Sequence, residues 1–583
     1  MPRRFSPGFV STIDQNSFFL APDGKSNPHS ELIATIRRFF DADPLPGRTE
    51  PAQCAFIARY RWLDSQLAFH SQHAPNQACP EFDAWYAQLR PENVTLIFPA
   101  AYMNNPSSLF GHTLLRIDPA QSVTDPLLSY AVNYGAQTHR DGGFLFAFKG
   151  IFGVYSGFYG LGPYYDRVNA YSNIENRDIW EYKLNLTADE IRRLVEHVWE
   201  LRQVGTDYYF FDENCSYQLL ALLDVARPGA ALRQAFSAWV IPSDTVRAIE
   251  QRGLISDVKY RAAASTKLRA RLHDLGEHQR RLAHDIVNNN LSPQDPSVTA
   301  LPRDTQAKIL DVAHDYLHYE FVARKRQRDR VAPQLFALLQ QRSTLPTTAE
   351  PAPAIPIRPE HGHRTARASI GAEYRDGRSS PTLRFMPAYH ELLDRSAGYL
   401  AGAQIQFLDA RFAFNTAEDS VQLSSFMLVD IISLSARDLF FRPTSWTVSA
   451  GWIPKLLPEH NDSLTRIPTF HIGAGSTFAL GRENLTYGLA TLTLERDGTN
   501  APRYALGPGV QFGSIWAAGE SVSLGVKLHA EHFRLGSRYT RHGGSIEQRW
   551  HIDRDASLAL ELSDQRIGSI NSPALNLNWT VFF

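Results

Sequence analysis

From residue 363 onward the chain adopts a period of two. Val522, Leu524, Val526, Leu528 and Ala530 alternate with Ser523, Gly525, Lys527, His529 and Glu531. Leu558, Leu560 and Leu562 alternate with Ser557, Ala559, Glu561 and Ser563, and Leu575, Leu577, Trp579, Val581 and Phe583 with Asn576, Asn578 and Thr580. Leu485 to Leu494 repeats the pattern, and turn formers such as Asp497-Gly-Thr-Asn500 separate the segments. About a dozen segments of roughly ten residues fit, the length and alternation of strands crossing a bilayer with one face in lipid and the other toward a wet lumen. A soluble β-sandwich also alternates. Strand length, an even strand number and the lack of any helical interruption favour the antiparallel transmembrane β-barrel of about twelve strands.

Ahead of the barrel, five prolines between Pro346 and Pro359 mark an extended linker. The expected layout is multidomain α+β: a helical segment over 1–90, a mixed domain over 91–260, a helical region over 261–345, the linker over 346–362 and the barrel over 363–583. Short amphipathic helices are predicted at Glu31–Phe40, Tyr60–Phe69 and Glu81–Leu89. Strands follow at Val94–Phe98, Gly111–Ile117, Leu127–Asn133 and Ile179–Leu184. The Gly- and aromatic-rich stretch Gly142–Tyr171 reads as a wrapping loop or lid. Thr187 and Glu190 form a capping box that opens a helix at Ala188–Val204. Further helices are expected at Ser243–Gln251, Thr266–Asn288 and Asp304–Arg342, the last interrupted by Pro333.

Lys+Arg 59 against Asp+Glu 60 argues against a nucleic-acid partner. No run of eighteen apolar residues encodes a transmembrane helix. Met1-Pro-Arg-Arg is not followed by a secretory leader. An exported barrel needs one, so the expectation is a native start upstream or a leader already removed.

Of three cysteines, Cys54 and Cys79 are close enough in sequence to close a modest loop as a disulfide, which leaves Cys215 as the odd thiol. Cys215 stands between an aromatic run, Tyr208 to Phe211, and an apolar helix, Ser216–Val225. Asp212 is the expected N-cap, which puts Cys215 in the first turn, where the peptide dipoles favour a thiolate. No second cysteine lies at metal-finger spacing, and neither a metal nor a cofactor is expected. A buried cysteine packing as a small apolar side chain is the alternative.

A thiol nucleophile needs an imidazole to take its proton and return it to the leaving group. His112 is the preferred candidate. It opens a strand after the loop Tyr102–Gly111, whose turn formers and small hydroxyls, Ser107 and Ser108 among them, suit a backbone bent around a substrate. His197 is the rival, but among Arg192, Arg193 and Glu196 it reads as part of a solvated helix face.

Four motifs, Asn104-Asn-Pro-Ser-Ser-Leu-Phe-Gly-His-Thr-Leu-Leu-Arg-Ile-Asp118, Tyr164-Tyr-Asp-Arg-Val168, Asn176-Arg-Asp-Ile-Trp-Glu-Tyr182 and Asp212-Glu-Asn-Cys-Ser-Tyr217, together resemble the Lnb family of bacterial lipoprotein N-acyltransferases over residues 50–260. The His-first, Cys-later order is also similar to the permuted papain-like fold of the lecithin retinol acyltransferases. Phe583, an aromatic end to an alternating strand, resembles the terminal signature of bacterial outer-membrane barrels.

The resemblance implies that His112 is the base and Cys215 the nucleophile. Asn133, Tyr130 and Glu181 are candidates for the ring-orienting third residue. Arg177, Asp178 and Trp180 match the family too, although a structural ion pair and a core tryptophan explain them equally well. Backbone N–H groups near Asn214 and Cys215 would hold the oxyanion. The implied reaction moves an acyl chain from a membrane phospholipid through a Cys215 thioester to an amine, in the family a lipoprotein N-terminus, in the periplasm at the outer membrane. Alternatives are a Cys/His hydrolase of envelope amides or esters, such as a peptidase or lipase, and a non-catalytic envelope binding protein.

Overall fold

A computed structural model of the chain describes residues 8–46, 48–69, 75, 77–103, 109–120, 125–138, 149–150, 153–415, 419–456, 464–481, 484–496 and 504–583. It divides into two compact units, Met1–Gly276 with Pro293–Ala354, and Glu277–Ser292 with Ile355–Phe583.

The first unit is built on a seven-stranded antiparallel sheet. Its strands are β1 (Asn93–Pro99), β2 (Leu114–Asp118), β3 (Tyr130–Ala136), β4 (Tyr155–Pro163), β5 (Ile179–Leu184), β6 (Gly205–Tyr208) and β7 (Ile255–Arg261), in the order β6-β4-β3-β2-β1-β5-β7. Central strands covered on both faces read as near-continuous apolar runs; β1 does so, while β2 buries Arg116 and Asp118 as an ion pair. Leu96, Leu115 and Val132 pack with Leu194, Val198, Leu219 and Leu220 of the helices Ala188–Leu201 and Cys215–Ala226. Ile97, Leu114 and Ala131 turn to the other face, against Tyr164. Cys54 and Cys79 form a disulfide with Cα atoms 5.3 Å apart.

The helices Pro28–Phe39, Ile57–Leu67 and Pro80–Leu89 fall close to their predicted positions. The capping box of Thr187 and Glu190 is present, and its helix ends at Leu201. Three expectations need correction. The described end of the segment predicted as a wrapping loop contains β4, which pairs with β3 and β6. Its glycines hid the strand: a Cβ on Gly157 would lie 2.0 Å from the Tyr134 hydroxyl, so the missing side chain makes room for that ring. The helix expected over 266–288 is two, Ala264–His273 and Glu277–Val287, and the second belongs with the barrel unit, where His284 meets Phe440 edge-on. The helix expected over 304–342 breaks between Val322 and Arg328, where Arg324 takes a left-handed φ of 56°. Pro333 lies inside the following helix, Arg328–Arg342.

In the second unit twelve long strands close on themselves. Each pairs antiparallel with the next, from Arg367–Arg375 and Arg378–Met386 through Ala403–Asn415 to Ala574–Phe582. Closure comes from Ala574–Phe582 pairing with Arg367–Arg375 and Arg378–Met386 with Ala403–Asn415. Leu528, Phe512, Ile546, Leu562 and Leu577 are exposed on the outside. Ser523, Ser557, Arg549 and Glu531, their out-of-phase neighbours, are buried. An apolar exterior with a polar interior on a closed barrel is how β proteins cross a membrane.

The interior differs from the wet lumen expected. The segment Glu391–Arg395 crosses it: Leu392 packs with Ile432, Tyr487 and Leu489, Leu393 lies against Gly525, and Arg395 pairs with Glu520. A Cβ on Gly525 would come within 2.8 Å of Leu393 Cδ1, so glycine leaves the seat for that side chain. Around the crossing, Glu391 and Asp394 are held by Arg367 and Arg549, and Arg384 bridges Glu391 to Asp409. A second cluster joins Lys455 to Glu495, and Arg541 to Glu495 and Glu531.

Candidate active site

Cys215 is the first residue of the helix Cys215–Ala226, and the N-cap is Asn214, not Asp212. Asn214 has extended backbone, and its Oδ1 accepts from the N–H groups of Ser216 (3.1 Å) and Tyr217 (3.2 Å). Its Nδ2 donates to the carbonyls of Phe210 (3.0 Å) and Val240 (2.7 Å). Those four bonds commit the buried side-chain amide to holding the turn and leave the backbone N–H groups near Asn214 and Cys215, expected from sequence to hold an oxyanion, to the proposal below. The cap also explains why the sulfur sits at the positive end of the helix.

His112 lies on the approach to β2, two residues before the strand begins, with its backbone N–H on the Pro99 carbonyl. Its Nε2 is 2.6 Å from Asn133 Oδ1, and the ring also hydrogen-bonds Cys215. With Nε2–H donating to Asn133, Nδ1 is the nitrogen left to face the thiol and accept its proton. Two further contacts fix the pair. The Ser216 hydroxyl lies 3.9 Å from the sulfur. The Thr113 and Ser216 hydroxyls meet at 2.9 Å, tying the histidine segment to the cysteine helix.

Electrostatics follow from this packing. Burial pushes the Cys215 thiol up, but the His112 charge and hydrogen bond, the Thr113 N–H and the Ser216 hydroxyl outweigh it and bring it down to about 7. Burial pulls His112 down, while the Cys215 charge and the bonds to Cys215 and Asn133 raise it above its ordinary value. Each group favours the charged form of the other, and a thiolate–imidazolium pair is the state of a primed nucleophile. The Tyr171 ring lies 6.1 Å from the imidazole. Phe110 and Phe211, each within four residues of a member of the pair, meet at 5.9 Å.

The other sequence candidates separate clearly. Asn133 joins the pair. Tyr130 lies on the opposite face of β3, since side chains alternate along a strand, and its hydroxyl accepts from Gln88. Glu181 is committed elsewhere: its carboxylate takes Arg116, Arg261 and the Tyr164 hydroxyl in a buried cluster. Ser107 and Ser108 lie outside the described residues. His197 is half-buried and bonded to Glu200 rather than on a solvated face. Arg177 pairs with Glu175 and donates to the Pro99 and Ala100 carbonyls, Asp178 accepts from Thr266, and Trp180 packs on Tyr260. Thr113 and Ser216 were not singled out from sequence. Their adjacency to His112 and Cys215 was the available signal.

The model of the Lnb N-terminal periplasmic domain matches residues 81–252. Three models described only as domains of unknown function match 3–66, 258–354 and 356–582. A comparison with curated proteins finds no match. Among solved structures, the KdgM porin in complex with disordered oligogalacturonate is 9% identical, covering 37% of this chain and 99% of its own at a TM-score of 0.23. An outer-membrane channel from Pseudomonas putida F1 is 12% identical, covering 41% and 100% at a TM-score of 0.25. The outer-membrane channel DcaP of Acinetobacter baumannii is 9% identical, covering 40% and 100% at 0.21. The barrel assignment rests on strand pairing and on the apolar exterior described above. Residues 81–252 thus match the Lnb family's periplasmic domain, and the chain carries that domain together with a C-terminal twelve-strand barrel of the outer-membrane kind.

Proposed function

We propose that the protein is a periplasm-facing, outer-membrane-anchored thiol acyltransferase. Cys215 attacks an ester carbonyl of a glycerophospholipid, forming a C–S bond while the carbonyl electron pair moves to oxygen, where backbone N–H groups near Asn214 and Cys215 hold it. As the C–O bond breaks, the imidazolium of His112 gives its proton to the departing lysophospholipid alkoxide. An amine, by analogy with the family a lipoprotein N-terminus, then attacks the thioester; His112 accepts its proton, and the thiol is restored as the amide forms. The observation that carries this reading is the single line of contacts Cys215–His112–Asn133, reached from three separate elements.

A thiol suits transfer because a thioester reacts readily with amines and survives while water is kept away. The aromatic rings of Tyr171, Phe110 and Phe211 beside the pair support a dry, acyl-compatible surrounding. Donor and acceptor both reside in a leaflet, and carriage on the same chain as a barrel raises the effective concentration of the thiol at the bilayer. The permuted papain-like arrangement remains part of this proposal, supported by the His-then-Cys order and a cysteine at a helix start.

The test is intact-mass spectrometry of the full chain after incubation with vesicles of phosphatidylethanolamine and phosphatidylglycerol. One acyl chain added at Cys215, and passed on to an added peptide with an amino-terminal lipidated cysteine, supports transfer. Free fatty acid with no amide product would make the protein a hydrolase. An unmodified Cys215 would remove the thiol mechanism.

A further inference from the structure

The turn after the helix Arg303–Val322 and the helix that follows it, Arg328–Arg342, put positive charge beside bare apolar surface. Five of the seven residues from Arg324 to Arg330 are basic and one, Asp329, is acidic. Asp329 lies in the first turn of the helix, where the dipole favours a carboxylate. Arg326 is held by Glu320, and Lys325 lies over the Tyr319 ring. Arg324, Arg328 and Arg330 are exposed, and among the described residues their side chains enter no ion pair.

The helix buries Val331 and Leu338 on one side. The outer face of such a helix in water is ordinarily polar. Here Ala332, Pro333, Phe336, Ala337 and Leu339 are all exposed, Phe336 at 70% and Leu339 at 51%. At 3.6 residues per turn, Ala332, Phe336 and Leu339 fall on one strip, with Arg328 at its head. Exposed apolar side chains are ordinary when they stand singly. These are contiguous, and the cations gather at one end of them.

Charge selects what covers the strip. An apolar protein surface would bury Phe336 and Leu339 but gain nothing from the cations at the head. An anionic bilayer surface uses both, because apolar side chains enter the boundary between headgroups and acyl chains while Arg and Lys reach the phosphates.

We propose that this turn and helix are a peripheral membrane contact of the first unit, seated on anionic phospholipid. Phe336 and Leu339 enter the headgroup boundary, and Arg324, Lys325, Arg328 and Arg330 take lipid phosphates. The contact is independent of the thiol chemistry and adds a second membrane attachment to that of the barrel.

The test uses the full chain with Cys215→Ser, so that Phe336→Cys supplies the single free thiol beside the Cys54–Cys79 disulfide. That thiol carries a nitroxide, and the protein is placed in nanodiscs of phosphatidylcholine alone or mixed with phosphatidylglycerol. Power saturation reads collisions with oxygen, which concentrates in lipid, and with a nickel chelate, which stays in water. Adding phosphatidylglycerol is expected to cut nickel collisions about fivefold or more while oxygen collisions rise. Arg324→Gln together with Lys325→Gln is expected to reverse the change, since each cation near an anionic surface strengthens the contact about fivefold. A label at Leu339→Cys is expected to follow the one at Phe336→Cys.

The inference fails if the label stays open to nickel in both discs. A label shielded from nickel and oxygen alike would mean that protein covers the helix, and would overturn it as well. Lipid contact that neither phosphatidylglycerol nor the two cations alter would remove the assignment to anionic lipid. None of these readouts depends on acylation, so each leaves the thiol reading where it stands.

Discussion

The chain buries ionisable side chains in two settings, and they do opposite things. In the barrel, Arg367, Arg384 and Arg549 face Glu391, Asp394 and Asp409 across bonds that close on one another. A guanidinium does not release its proton, so those charges are permanent and their geometry is structural. In the first unit, Cys215 and His112 share one proton between two groups that are each drawn toward the charged form. Burial is common to both. What separates scaffold from chemistry is whether the proton can move. The cluster of Arg116, Asp118 and Glu181 sharpens the contrast, since it lies in the same unit as the thiol and is built like the barrel interior.

The largest effect is expected at the mobile pair. Cys215→Ala should abolish acylation, and His112→Ala should slow it by about 10²–10⁴-fold, as befits loss of a general base. The sign of the pH response follows from the causes. In wild type, alkylation of Cys215 should rise with pH through a midpoint near 7, where the thiolate appears. Without His112 the burial penalty stands unopposed by its main counterweight, so the midpoint should move up toward, or beyond, the ordinary thiol value of about 8.5. A midpoint unmoved in His112→Ala would erase the distinction between the two settings.

Next comes a substitution in the fixed cluster. Asp394→Asn removes a carboxylate that faces Arg367 and Arg549, leaving buried positive charge underpaired. Breaking a buried pair in this way costs on the order of 3–5 kcal/mol. The measurement is the temperature at which the barrel loses its heat-modifiable gel mobility, expected to fall, with the Cys215 alkylation midpoint unchanged. A shift in that midpoint would show that the clusters are coupled rather than independent.

Much of this division was legible in sequence, because it rests on periodicity. The strands Leu485–Leu494 and Val522–Ala530 announce the barrel through alternation alone; in the first unit β1 shows as a compact apolar run and β5 as an alternating one. What escaped was decided by contacts distant in sequence. Glu391–Arg395 looks like an ordinary polar connection, and only the vacancy at Gly525 shows where Leu393 goes. Glu181 was a credible partner for His112 until Arg116 and Arg261 took its oxygens. Asp212 and Asn214 are both good caps by type. The choice between them depended on the Phe210 and Val240 carbonyls, which engage the Asn214 amide nitrogen.

The finest test is at Asn133, where the two settings differ by a single atom. Its neutral Oδ1 holds the imidazole through a 2.6 Å bond and helps to raise His112. Asn133→Ala removes that acceptor. Acylation should fall about tenfold, the scale of one lost hydrogen bond of about 1–1.5 kcal/mol, and the alkylation midpoint should rise slightly as the imidazolium loses support. Asn133→Asp puts a permanent negative charge at the same place, as the barrel does throughout. It favours the imidazolium, so the midpoint should move the other way, below the wild-type value of about 7. Opposite shifts identify Asn133 as a group acting through the His112 proton. Equal shifts, or none, would reduce it to packing, and the third member of the site would have to be sought elsewhere.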